Sequence, residues 1–205
     1  MKKRFKLKYL LIVILIILLV FLFINIKSIY DSISNKNEVK TLMTIDNYGY
    51  TLNEYDSPYF KTLFEDLKKC LESDEVDEEE YATLVSKLFV TDFYSLKYAL
   101  SKSDVGGIEF VYADYQSTFT KKAKDTIYAY VKSNIYGKRN QVLPNVKEVT
   151  VKSVETEAYK GDKIQDKKAY IVELNIIYDE DLDYPNDLSL TLVHVNNKLE
   201  IVKMD

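Results

Sequence analysis

Hydrophobic and polar positions change their rhythm three times along this chain, and each change marks a different kind of element. Tyr9–Ile24 is an unbroken run of sixteen apolar residues, extending to Ile26 if Asn25 is tolerated at an interface. That length approaches the ~20 residues needed to cross a ~30 Å hydrocarbon core. Lys2, Lys3, Arg4, Lys6 and Lys8 precede the run and only Lys27 follows closely, which predicts a cytoplasmic N-terminus with residues 27–205 outside. No Ala-x-Ala-like triplet follows the run, so it reads as a retained single-pass signal anchor rather than a cleaved signal peptide.

Beyond a mostly polar stalk (27–43), Thr44–Leu52 alternates loosely around Tyr48-Gly49-Tyr50 and predicts a short extended strand. A period of 3.6 then takes over. Ser57-Pro58 is an N-cap followed by proline at the first helical position, and Phe60, Leu63, Phe64, Leu67, Cys70 and Leu71 share one face of a helix over 58–73. Asp77 and Glu80 have capping-box spacing and open a second helix, 78–102, with a stripe of Tyr81, Val85, Leu88, Phe89 and Leu96. Ser103-Asp104-Val105-Gly106-Gly107 is a turn. A third helix, 114–136, carries Phe119, Ala123, Ile127, Tyr130 and Val131 and stops at Gly137.

After Pro144 the period becomes two. Val146–Glu157 alternates imperfectly through Val149, Val151 and Val154, as a bulged strand does. Lys168–Asp179 sets Tyr170, Val172, Leu174, Ile176 and Tyr178 on one face. Leu188, Leu190 and Leu192 follow, and Asn196-Asn197 is a tight-turn pair leading into Lys198–Met204. The expected fold class is therefore α+β: an N-terminal transmembrane helix (9–26), then a domain over 44–205 with three helices packed on a curved, cone-like four-stranded antiparallel sheet.

This order resembles the single-pass inner assembly subunit of type IV secretion and conjugation systems, whose outer domain has the nuclear-transport-factor-like cone fold. The resemblance is carried by the anchor, the helices at 58–73, 78–102 and 114–136, and the strands after Pro144. Where that family often has an Asn-Pro-x-Gly turn, this chain reads Tyr184-Pro185-Asn186-Asp187. The resemblance implies a scaffold in the bacterial cell envelope that docks other membrane or envelope proteins, with self-association among its expected contacts. The cone fold also serves binding modules and enzymes, so the fold leaves the choice open.

Charge and composition narrow the field. The chain has 28 basic and 32 acidic residues, and five of the basic ones precede the apolar run. The remainder is acidic, which argues against a nucleic-acid surface. One cysteine, Cys70, excludes an internal disulfide and reads as a small buried hydrophobe. One histidine, His194, excludes a His-pair metal centre; it reads either as a pocket acid/base in phase with Leu188–Leu192 or as a partly wet strand-end residue. Asp179, Asp181, Asp183 and Asp187 imitate the first positions of a calcium loop. Tyr184 replaces its glycine and Leu190 its bidentate glutamate, and the other reading is a solvated acidic hairpin. No cofactor or metal is expected, and no catalytic residue is assigned.

An isomerase of the ketosteroid kind would need a buried Asp base and a Tyr donor, yet the inward strand positions read Tyr, Val, Leu and Ile. Two surfaces remain as candidates. Val172, Leu174, Leu190 and Leu192 would line an apolar ligand or peptide pocket between helices and sheet. Tyr112, Tyr115, Tyr128 and Tyr136 would serve partner docking, because tyrosine adds contact area at low entropy cost. The surplus of eighteen tyrosines also follows from AT-rich codon usage.

Overall fold

Local signals and tertiary demands meet first at the helix ends. The computed structural model describes Val20, Leu22 and residues 40–205, and the chain divides into two units, 1–39 and 40–205. In the second unit α1 spans Pro58–Leu71: Ser57 caps it, its Oγ accepting from the Phe60 N–H at 3.0 Å, and Pro58 occupies the first turn. Phe60, Leu63, Phe64, Leu67, Cys70 and Leu71 are buried along one side. α2, Glu78–Tyr94, is capped by Asp77, whose Oδ1 accepts from the Glu79 and Glu80 amides. It buries residues on almost every side because it lies between α1 and the sheet.

The first strand region is a hairpin, not a single strand. β1 (Thr41–Thr44) pairs with β2 (Thr51–Asn53), and the reversal between them puts Asn47 and Gly49 at φ +66° and +71°. The main sheet is an antiparallel meander, β3 (Val146–Lys160), β4 (Gln165–Tyr178), β5 (Asp187–Val195) and β6 (Lys198–Met204), in that order. Its register places Val151 opposite Leu174, Val172 opposite Leu190 and Tyr170 opposite Leu192. The period-two set thus closes one buried face against α2. β3 carries three register shifts, which accounts for its broken alternation.

Three expectations need correction. Among the described residues no helix is long and apolar enough to cross a membrane. The longest, α2, has 17 residues, about 25 Å at 1.5 Å per residue, and includes Glu78, Glu79, Glu80, Lys87 and Asp92. The apolar run 9–26 that carried the expectation lies, save for Val20 and Leu22, outside the described residues. The transmembrane, single-pass and signal-anchor assignments and the cell-membrane localisation therefore have no support among the described residues.

α2 also stops at Tyr94 rather than 102. Ser95 turns to φ −82°, ψ 61°, its Oγ accepts from the Val146 N–H at 3.2 Å, and Leu96 is fully buried outside the helix.

The third helix, α3, spans only Ala113–Asp125. Tyr128 leaves the helical path to bury its ring, donating its hydroxyl to the Phe93 carbonyl at 2.7 Å and accepting from the Gly106 N–H at 3.0 Å. Tyr130, expected in the helix stripe, is 85% exposed as a result.

Candidate functional site

α3 is a helix with too little to bury. Only Ala123 is fully buried in it, and Phe119 and Tyr115 are partly so. Its start is nonetheless pinned to the sheet. Val111, just ahead of α3, forms a parallel bridge with Ile201 of β6, and the Tyr112 N–H donates to the Ile201 carbonyl at 2.9 Å. Beyond that pin, Asp114 and Thr118 are too short to fill the space between helix and strand.

The result is an open groove of about 410 Å³. Phe89 of α2, Val111 and Phe119 form one side, and Ile201, Val202 and Met204 the other. Phe89 and Phe119 meet at 5.8 Å between ring centroids, and Phe93 backs Phe119 at 5.1 Å. Lys163, from the tight β3–β4 turn, reaches Asp114 at 3.3 Å across the end of the groove. Lys203 also lines it and pairs with Asp205. Both ion pairs are about half exposed. The edge of β6 is open here as well. Ser189 and Asp205 exchange both backbone hydrogen bonds, so the alternation of an antiparallel ladder turns the Met204 amide and carbonyl outward.

Val172, Leu174, Leu190 and Leu192 are each fully buried, in the core shared by α2 and the sheet, and none borders this groove. The four tyrosines scatter. Tyr115 lines the groove and meets Tyr112 edge-to-face at 5.2 Å, Tyr128 is buried, and Tyr136 is 66% exposed.

His194 sits at the end of β5 in a polar clasp. Its Nδ1 bonds the Asp166 carboxylate at 2.7 Å, and its backbone N–H donates to the same oxygen. Glu78, at the start of α2, lies 3.6 Å from Nε2 and accepts from Lys168 Nζ and the Tyr170 hydroxyl. Burial pushes Asp166 up, but the amides of His194 and Lys168 and the imidazole outweigh it, leaving the carboxyl below its usual range. The bonds from Lys168 and Tyr170 hold Glu78 low in the same way. This clasp joins the sheet to α2.

Four carboxyls, Asp56, Asp92, Glu109 and Glu200, are displaced the other way, each chiefly by burial. Asp92 and Glu109 are each raised to about 7. Asp92 accepts from the Gly107 N–H at 2.5 Å, and Glu109 accepts from the Thr51 N–H and hydroxyl at 3.0 Å each. Such values are common at catalytic sites, but neither carboxyl borders the groove. Both tie the 103–110 turn to its neighbours.

In the acidic loop, Asp179 accepts from Asn145, Asp187 from Lys152 and Asn175, and Asp181 from the Asp183 amide. Among the described residues no three carboxylate, cysteine or histidine groups converge as a metal centre. The Cys70 thiol is buried and raised by burial, as an inert core residue would be.

Comparison with protein-family models, with curated proteins and with solved structures finds no match to this chain. Function is therefore argued from the site.

Proposed function

We propose that the 40–205 unit is a binding module that holds a small apolar ligand in the groove between α3 and β6. The observation that carries this reading is the groove itself. It is open to solvent, mostly apolar in lining, about 410 Å³ in volume, and rimmed by a few polar groups. Ligand sites have that composition and fall in the range of roughly 300–1,000 Å³. A filled core would not leave the partly exposed Tyr115, Phe119 and Met204 around a shared open space, since protein interiors close-pack.

Decanol is a suitable probe. Burying a methylene is worth about 0.8 kcal/mol, and the cost of association removes part of the total, which places the expected Kd in the micromolar range. At ten times Kd the ligand adds ~1.4 kcal/mol of stability, a rise in Tm of roughly 3–5 °C for a domain of this size. Thr118→Trp, at an exposed position on the groove rim, fills the space and abolishes the rise. No rise in the unaltered protein, or an equal rise in Thr118→Trp, overturns the proposal.

A further inference from the structure

The groove carries charge as well as apolar surface. Three charged side chains line it: Lys163, Lys203 and Asp114. Two ammoniums and one carboxylate line it, on a chain whose formal net charge is −4, while a second carboxylate, Asp205, pairs with Lys203 beside the lining. Lys163 comes from the β3–β4 turn and Lys203 from β6, so two separate elements bring their ammoniums to one opening.

Neither lysine is locked. Lys163 and Asp114 are 52% and 53% exposed, and Lys203 and Asp205 are 57% and 58% exposed. Ion pairs this wet contribute little, so exchanging Asp114 or Asp205 for an incoming anion costs little. An ammonium on a flexible four-carbon stem also adapts to a head group whose position varies with chain length.

We infer that the ligand is a lipophilic carboxylate, its chain lying along Tyr115, Phe119, Val202 and Met204 and its head group held by Lys163 and Lys203. This inference rests on the reading of the groove as a binding site. A cationic head would have to displace Lys163 from Asp114 or Lys203 from Asp205 and would then meet the freed ammonium at the same opening. A neutral head would leave both lysines with their present partners and gain nothing from them.

The test is a series of equal chain length on the full protein: decanoate, decanol and decyltrimethylammonium, titrated by calorimetry at low ionic strength. Decanoate is expected to bind about threefold to tenfold tighter than decanol, as two exposed charge contacts allow, and decyltrimethylammonium more weakly than either. The double variant Lys163→Gln/Lys203→Gln brings decanoate to the level of decanol. Asp114→Asn frees Lys163 and tightens decanoate by about twofold or more. Added salt shrinks the preference.

If decanol binds as well as decanoate, or if the double variant keeps the preference, the carboxylate inference fails while the groove remains a binding site. If none of the three probes binds, the binding-module reading fails and takes this inference with it.

Discussion

The hydroxyls of Tyr50 and Tyr81 lie 2.7 Å apart in the core and close a ring of hydrogen bonds on the backbone of Leu199. The Leu199 N–H donates to Tyr81 at 3.0 Å, and the Tyr50 hydroxyl donates to the Leu199 carbonyl at 3.0 Å. A hydroxyl has one hydrogen, so Tyr81 must donate to Tyr50. Every donor is used once. The ring satisfies the outward groups of Leu199 on edge strand β6 by joining the β1–β2 hairpin and α2 to it. Burial raises both phenols, Tyr81 to about 12, so neither ionises at ordinary pH.

Removing either hydroxyl strands a buried backbone group. Tyr81→Phe is expected to cost about 2–3 kcal/mol and Tyr50→Phe slightly less, measured as a lower urea midpoint. The double variant should cost less than the sum of the two, because both act on one ring. Additive losses would show that the hydroxyls act independently.

Stability should fall as the solution becomes less acid across neutrality. Asp92 and Glu109, raised to about 7 by burial, keep protons in the folded chain that the unfolded chain releases near pH 4. Their contribution is fully present below about pH 4 and is lost as pH rises through about 7. Allowing for partial exposure, about 2 kcal/mol separates pH 5 from pH 8, or roughly 4–8 °C in Tm. Asp92→Asn and Glu109→Gln should flatten the profile. A Tm that climbs from pH 5 to pH 8 contradicts this assignment. The carboxyls held low, Glu78, Asp166 and Asp187, act on the acid side of this window and with the opposite sign.

Arg139 clamps the loops that follow α2 and α3. Its Nη1 donates to the carbonyls of Ala99 and Lys132 at 2.7 and 3.1 Å, and its Nη2 to that of Lys97 at 2.5 Å. These carbonyls lie in loop segments, where α2 has ended early and α3 has stopped short. A lysine supplies a point charge, not a planar fork. Arg139→Lys should therefore be nearly as damaging as Arg139→Ala, each costing ~1–3 kcal/mol. Full retention of stability in Arg139→Lys would show that charge alone suffices.

The ends of the elements were more legible in the sequence at their starts than at their stops. Ser57-Pro58 and Asp77 begin α1 and α2 where their capping chemistry puts them, because a cap is decided by a few adjacent residues. The stops depend on distant partners. Ser95 leaves α2 to meet Val146, and Tyr128 leaves the path of α3 to meet Phe93 and Gly106. No local rule records either contact. β5 and β6 read clearly because alternation is itself a tertiary signal, one face wet and one dry.

The groove was legible only in part. Phe119 was visible as a helix-stripe residue and Tyr115 as a candidate surface residue. Lys163 and Met204, one in a turn and one near the chain's last residue, have no local mark that brings them together. The weak apolar stripe of α3 was the available clue, since a helix with so few buried residues leaves space beside it.

Methionine-methyl NMR on the full chain, titrated with decanoate, tests the central claim most directly. Met204 lines the groove, whereas Met43 sits in β1 away from its lining. The account predicts that the Met204 methyl resonance shifts and saturates while that of Met43 stays in place, and that Thr118→Trp removes the response. Saturating binding that leaves Met204 unmoved would place the ligand elsewhere and contradict the account.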